Sequence, residues 1–491
     1  MRNTARIAQP TGLLTRRDFI RSAAVAGFGF SLTTPKVHAE PIPPAGPPLH
    51  ILVLGAGAAG LVAGYELKKA GHRVTILEAT LRPGGRVHTV REPFADGLYA
   101  EAGAARIPST HSLTRDYAKQ FGLRLAPYKP AGEKSLYYAA GRRVIAHSGQ
   151  PVDLAPLGLS FTTEELRMGP NGLYDKYIAR FSKDIGSIPG DAWPSPSLRK
   201  FGNQTIANLM ASLGASPAAI QYLCAGYEDD SALDYLRDAY SHEAEELDHI
   251  VGGNDLLPRA FANALADQIH YGSPVIRIEQ DTHSVRAVTR RAGQNIVVPA
   301  DRMICTLPFS VLRHIAFAPR LPHGKQKAID NLPYGSVTRI FLQYNRRFWL
   351  DEGCTGFADM LDLPMEVWSP SHDQPGHRGL HLGYLYERIA KKFAAFPKAD
   401  RTTSFLNLME KVYPGAKKHF EGGDSFVWNE QPFQRGAYAV YPKGTYDTLA
   451  PYVSQPEGRI HFAGEHTSPW PGWIQGALYS GLRAAREVVQ A

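Results

Sequence analysis

Cysteine is scarce in this chain: Cys224, Cys305 and Cys354 are the only three in 491 residues, and none share CxxC or metal-ligand spacing. A zinc site and a disulfide framework are thereby not indicated; a single bridge stays open, with one thiol left over. No run of Lys and Arg interleaved with aromatics occurs, so the formal charge of +8 reads as solubility and not as a nucleic-acid surface. No apolar segment approaches the ~20 residues that cross a bilayer, and there is no internal repeat. Charged residues make up only 20% against 44% hydrophobic ones. That balance excludes a disordered chain and suits one large or two to three interleaved domains.

What is present begins at the N-terminus. Thr15-Arg16-Arg17-Asp18-Phe19-Ile20 precedes a weakly apolar stretch from Ser22 to Leu32, which contains Gly27 and Gly29, and then Val37-His38-Ala39. Charge, apolar stretch and small-residue cleavage site come in the order of a twin-arginine signal, expected over residues 1–39. A periodic consequence follows: a periplasmic or secreted protein, passed folded by the twin-arginine export machinery with its cofactor already inserted, and without a permanent membrane anchor. Residues 40–48 are a stiff proline-rich linker.

The folded body is expected from Leu49. His50 to Leu54 and Arg73 to Leu77 read as strands, and Leu61 to Ala70 as a helix stopped by Gly71, which makes one βαβ unit. Residues 122–246 read as helical stretches broken by Pro and Gly. From Pro274 onward, Val275 to Ile278, Val285 to Thr289, Ile296 to Val298 and Met303 to Cys305 read as a meander returning to a sheet, and Ser336 to Tyr344 as a further strand. A last helix places Ile474, Ala477, Leu478, Leu482, Ala485 and Val489 on one face.

Between the first strand and helix, Gly55-Ala56-Gly57-Ala58-Ala59-Gly60 fits GxGxxG. Gly55 allows the turn, Gly57 the close approach of a pyrophosphate, and Gly60 the contact of helix and strand; Glu78 closes the second strand, where a carboxylate holds ribose hydroxyls. The motif does not separate FAD from NAD. Arg82-Pro83-Gly84-Gly85-Arg86 follows, and this RxGGR arrangement resembles the flavin amine oxidase family: a Gly-Gly turn with backbone amides near the pyrophosphate and an arginine that neutralises it.

The resemblance continues through Tyr99-Ala100-Glu101-Ala102-Gly103-Ala104-Ala105-Arg106-Ile107-Pro108, which is similar to the L-amino-acid oxidase branch, and ends on Phe462-Ala463-Gly464-Glu465-His466 with Pro471-Gly472-Trp473-Ile474. It implies an α/β fold: a Rossmann-like FAD-binding domain (49–88, 247–325 and 455–491) interleaved with a mixed-sheet substrate domain (89–121 and 326–454) and a helical insertion (122–246). It implies FAD, held by Gly55, Gly57, Ala58, Ala59, Gly60, Glu78, Ala79, Gly85, Arg86, Gly103 to Arg106, Val275, Gly464, Glu465, Trp473 and Ile474, and a homodimer. Arg106 would grip the substrate carboxylate, Trp368 would stand where the family usually has a second, tyrosyl partner, and Gly472, Trp473 and Tyr438 would wall the amine path. Catalysis would rest on Arg106, Arg339 and Trp473.

Two positions depart from the family. Ala437 stands where covalent members carry cysteine, so the FAD is expected to be noncovalent. Arg339 stands where a lysine commonly holds a water at the flavin. The expected reaction is oxidation of an L-amino acid by O2 to a 2-oxo acid, ammonia and peroxide. Amine or polyamine oxidation, decarboxylating L-amino-acid monooxygenation and a noncatalytic FAD-binding protein are the alternatives. The nine acidic residues between Glu228 and Asp248 read as a solvated helix face, with a cationic substrate as the other reading.

Overall fold

The computed structural model describes Ile42 and residues 47–129, 134–147, 150–181, 194–241 and 246–491. The expected signal segment and most of the proline-rich linker lie outside them. β1 (His50–Leu54), α1 (Ala58–Lys69) and β2 (Arg73–Leu77) form the expected unit. All of β1 after His50 is buried, as a strand covered on both faces requires. α1 starts at Ala58, three residues before the apolar pattern does, because Gly57 passes directly from extended backbone into the helix.

β1 lies between β2 and Arg302–Cys305 in a parallel sheet of five, flanked by Ile269–His270 and Ile460–Phe462. Three distant parts of the chain thus build one sheet. The expected meander is there: Val275–Gln280, Val285–Arg291 and Gln294–Ala300 pair antiparallel, with Ala316–Ala318 at the edge.

A second, seven-stranded mixed sheet runs in the order Phe420–Val427, Val337–Tyr344, Gly379–Tyr386, Met365–Trp368, Cys354–Met360, Lys134–Ala139 and Arg142–His147. Its last two strands correct the reading of residues 122–246 as helical. The run Leu136-Tyr137-Tyr138 is apolar and β-prone, and it adds to a sheet whose other strands arrive more than 190 residues later in sequence. The α-helices described in that region run from Thr163–Tyr177 to Ala232–Ser241. All three cysteines are buried, and none forms a disulfide among the described residues. Among the described residues no helix is long and apolar enough to cross a membrane.

Two backbone contacts hold the nucleotide-type unit together. A Cβ on Gly60 would lie 2.0 Å from the carbonyl oxygen of Gly55, so α1 and the turn touch only through glycine. The C-terminal helix, Ile474–Gln490, crosses α1 in the same way: a Cβ on Gly481 would lie 2.3 Å from the Ala59 carbonyl oxygen. Gly481→Ala is therefore expected to destabilise the fold by about 1–3 kcal/mol, read as a lower urea midpoint with an unchanged slope.

Candidate active site

One cavity of about 410 Å³ collects segments from every part of the chain. Gly55, Gly57, Ala58, Ala59, Glu78, Ala79, Gly85, Arg86, Gly103, Ala104, Ala105, Arg106, Val275, Arg339, Trp368, Tyr438, Gly464, Glu465, Gly472, Trp473 and Ile474 all border it. Gly60 does not; it sits behind the turn, against Gly55.

At one end, α1 presents its N-terminus without a side-chain cap, and a Cβ on Gly57 would meet nothing within 4 Å. Unsatisfied amides and open backbone make this a place for an anionic group. Glu78 is buried beside it; one carboxylate oxygen accepts from the Ala56 amide at 2.8 Å, the other from the Thr80 amide and hydroxyl. Arg82 donates to the Gly85 carbonyl at 2.9 Å and so braces the Gly-Gly turn. Arg86 reaches across the cavity to Glu465 at 2.6 Å and to the Ala437 carbonyl at 2.9 Å. Glu465 also accepts from the Gly472 amide at 2.9 Å. Burial works to raise the Glu465 pKa, but the Arg86 guanidinium, His466 and the Gly472 amide together hold the carboxyl below the usual range.

The other end is built by strand register. Arg339 pairs with Tyr384, and Tyr384 with Glu366, across three neighbouring strands, so the three side chains stand in a row on one face. Trp368, two residues beyond Glu366, shares that face. Arg106 enters above the row: its side chain is only 9% exposed, its guanidinium carbon is 5.3 Å from the Trp368 ring centre, and Nη1 is 3.6 Å from Glu366. The Arg339 guanidinium lies 3.8 Å from the Tyr384 ring centre and 4.5 Å from that of Trp368, and donates to the Gly103 carbonyl at 3.2 Å. Two guanidiniums against one carboxylate leave this wall net positive.

Trp368 differs from expectation in one respect. Its indole N–H donates to Glu366 at 2.9 Å, so toward the cavity it offers a ring face and not a donor. Tyr438 is joined to two tyrosines, Tyr227 at 3.0 Å and Tyr384 at 3.2 Å between hydroxyl oxygens. Trp473 packs edge-on against His111, with ring centres 4.8 Å apart. The acidic stretch is divided: Asp230, Asp234 and Asp238, spaced by four, border the cavity, while Asp229 and Glu246 are exposed. Asp248 pairs with Arg115 at 2.6 Å, and Glu243 and Glu245 lie outside the described residues. Its reading as a solvated face is corrected for the three that turn inward.

The sequence model of the flavin-containing amine oxidoreductases matches residues 58–489. The chain belongs to that family. It is 34% identical over 457 residues to YobN of Bacillus subtilis (strain 168), provisionally named an L-amino-acid oxidase, covering 90% of this chain and 95% of YobN. It is 30% identical over 465 residues to an L-amino acid oxidase of Bothrops pictus, covering 90% and 91%. In fold it is similar to cyclohexylamine oxidase from Brevibacterium oxydans IH-35A (TM-score 0.77, 21% identity, 90% of this chain and 99% of that one) and to wild-type putrescine oxidase bound to putrescine (TM-score 0.76, 21% identity, 91% and 100%).

The cavity of this flavin amine oxidoreductase fits a flavin nucleotide on its own geometry. A second helix, the C-terminal one, also points an N-terminus without a side-chain cap at the cavity, with Trp473 at its N-cap and Ile474 as its first residue. One helix end suits phosphate and the other suits the anionic charge a reduced flavin acquires. Tyr227, Tyr384 and Glu366 escaped the sequence reading. For Glu366 a signal existed, since a carboxylate within the otherwise apolar strand Met365–Trp368 calls for a buried cation.

The depressed Glu465 pKa fixes a pH dependence. Its contribution to stability is complete above the ordinary glutamate pKa of about 4.3 and is lost as pH falls through the lower folded value. Glu465→Gln is expected to lower Tm at neutral pH and to flatten its decline between about pH 5 and pH 3, measured by thermal melts across that range.

Proposed function

We propose that this enzyme oxidises the α-amine of an L-amino acid with noncovalent FAD and O2, consuming water and yielding a 2-oxo acid, ammonia and hydrogen peroxide. The observation that carries this reading is Arg106: an enclosed guanidinium bordering the same cavity as Gly103, Gly472 and Trp473. An oxidase of simple amines has no group for it to bind, whereas an α-carboxylate accepts two parallel hydrogen bonds from it.

FAD, when bound, supplies the two-electron acceptor for the α-hydrogen and returns the electrons to O2. The chain's own residues orient the substrate. Arg106 holds the carboxylate, Glu366 steadies Arg106 from behind, and the faces of Trp368 and Tyr384 exclude water from that wall. Tyr438 and Trp473 confine the neutral amine, so the α-carbon is presented in one orientation and no side-chain base is needed. Arg339, clamped between rings, keeps its charge despite burial that works against it, and adds positive potential at the Gly103 side. Ala437 offers no nucleophile to the cofactor. The twin-arginine segment supports export of the loaded enzyme, and an Arg16-Arg17 to Lys-Lys exchange is expected to leave it in the cytoplasm on fractionation.

Anaerobic mixing of the yellow enzyme with its amino acid should bleach the flavin band; no bleaching by any of the twenty L-amino acids sinks the reading. Arg106→Ala should raise KM about a hundredfold for the amino acid and far less for the matching decarboxylated amine. An amide product in place of the 2-oxo acid, seen by mass analysis, would identify a decarboxylating monooxygenase.

A further inference from the structure

Outside the residues that border the cavity, a second cluster of chemistry-bearing side chains sits on the three-stranded sheet formed by Ile107–Pro108, Leu247–Ile250 and Leu125–Pro127. Leu247–Ile250 is the middle strand; its Asp248 pairs with Ile107, the residue after Arg106, and with Pro127. The next residue, His249, is buried, and its Nε2 lies 2.9 Å from Asp373 Oδ2. His372 stands beside it, with ring centres 5.9 Å apart, in the loop that leaves Trp368. One ring nitrogen from each histidine and one carboxylate oxygen of Asp373 all lie within 4.8 Å of one another.

The hydrogen-bond inventory of His372 does not close with a neutral ring. Nδ1 faces the Ser369 carbonyl oxygen at 3.1 Å and Nε2 faces the Pro127 carbonyl oxygen at 3.1 Å. Both oxygens only accept, and a neutral imidazole has one N–H. If Nδ1 donates to Ser369, which is how a metal-binding histidine is commonly oriented, the Nε2 lone pair is aimed at the lone pairs of Pro127. A cation between them turns that repulsion into attraction. His249 and Asp373 lie on hand to complete its shell, and Asp373 is exposed enough to give the ion an entry path.

We propose that His249, His372 and Asp373 form a binding site for a divalent transition ion of the zinc type, with the Pro127 carbonyl or a water as fourth ligand. Two imidazoles and a carboxylate suit such an ion better than calcium or magnesium, which take oxygen shells. Donor atoms of tetrahedral zinc lie roughly 3.3 Å apart, so the widest separation in the cluster, up to 4.8 Å, needs to close by up to about 1.5 Å, and His249 must carry its proton on Nδ1. The ion is structural. It clasps the loop that follows Trp368 to the strand that pairs with Ile107, and so joins the segments next to Trp368 and Arg106. This assignment stands whether or not the substrate is an amino acid.

The test uses the flavin-loaded enzyme, freed of metal by chelator and then titrated with zinc chloride in a calorimeter. One equivalent per chain is expected, with Tm rising as zinc is added, because the ion binds the folded state. Asp373→Ala, at the surface, and His372→Ala should each weaken zinc binding at least tenfold and abolish the rise in Tm, while flavin content stays that of the wild type. Absence of stoichiometric binding overturns the proposal. Equal binding by the wild type and both variants overturns it as well, placing the zinc elsewhere.

Discussion

Four segments of this enzyme meet on one ion pair, Arg86 with Glu465. Glu465 receives Arg86 from the Gly-Gly turn and the Gly472 amide from the loop that opens the C-terminal helix, while Arg86 also holds the Ala437 carbonyl. Residues 379 apart in sequence are thereby locked across the cavity. A buried pair of this kind adds little net stability, since desolvation opposes the attraction. Its value lies in specificity: removing either partner leaves a charge without compensation, so no alternative docking of the C-terminal segment is comparably good. The positions of both helix ends at the cofactor cavity follow from that lock.

The close helix packing is the mechanical counterpart. α1 and the C-terminal helix approach until the backbone at Gly481 touches Ala59, and α1 in turn touches its own entry turn through Gly60. At each contact the nearest atom is a backbone carbonyl oxygen, with a valine side chain, Val62 or Val53, next to it. The amides at the start of α1 are therefore held in place by rigid backbone, which is what an anion site requires of donors that must not reorganise.

The wall of the cavity around Arg106 obeys a different rule. Its members come from strands whose order in the sheet differs from their order in the chain, and register alone sets Arg339, Tyr384 and Glu366 side by side. The two-residue period within the strand explains why Trp368, with its N–H turned to Glu366, presents a face and not a donor. The excess of guanidinium over carboxylate at this wall is a property of the assembled sheet.

What the sequence determined by itself was the local and the contiguous. The βαβ unit, the glycine turn, the RxGGR segment and the Gly-Glu segment with its following helix are each specified by residues within a few positions of one another, because turn geometry, helix period and backbone approach are short-range properties. The strands Lys134–Ala139 and Arg142–His147 pair with each other across Ala140-Gly141, a local hairpin signal hidden among Pro- and Gly-broken stretches; only the first has its other partner, Cys354–Met360, far down the chain. Only the tertiary structure decided that Glu366 backs Arg106, that Tyr227 and Tyr384 extend the wall around Tyr438, and that three aspartates of an acidic stretch face inward. Each of these depends on which distant segment covers a face of an element; local spacing puts Asp230, Asp234 and Asp238 on one face and marks Glu366 as unusual, but does not name what faces them.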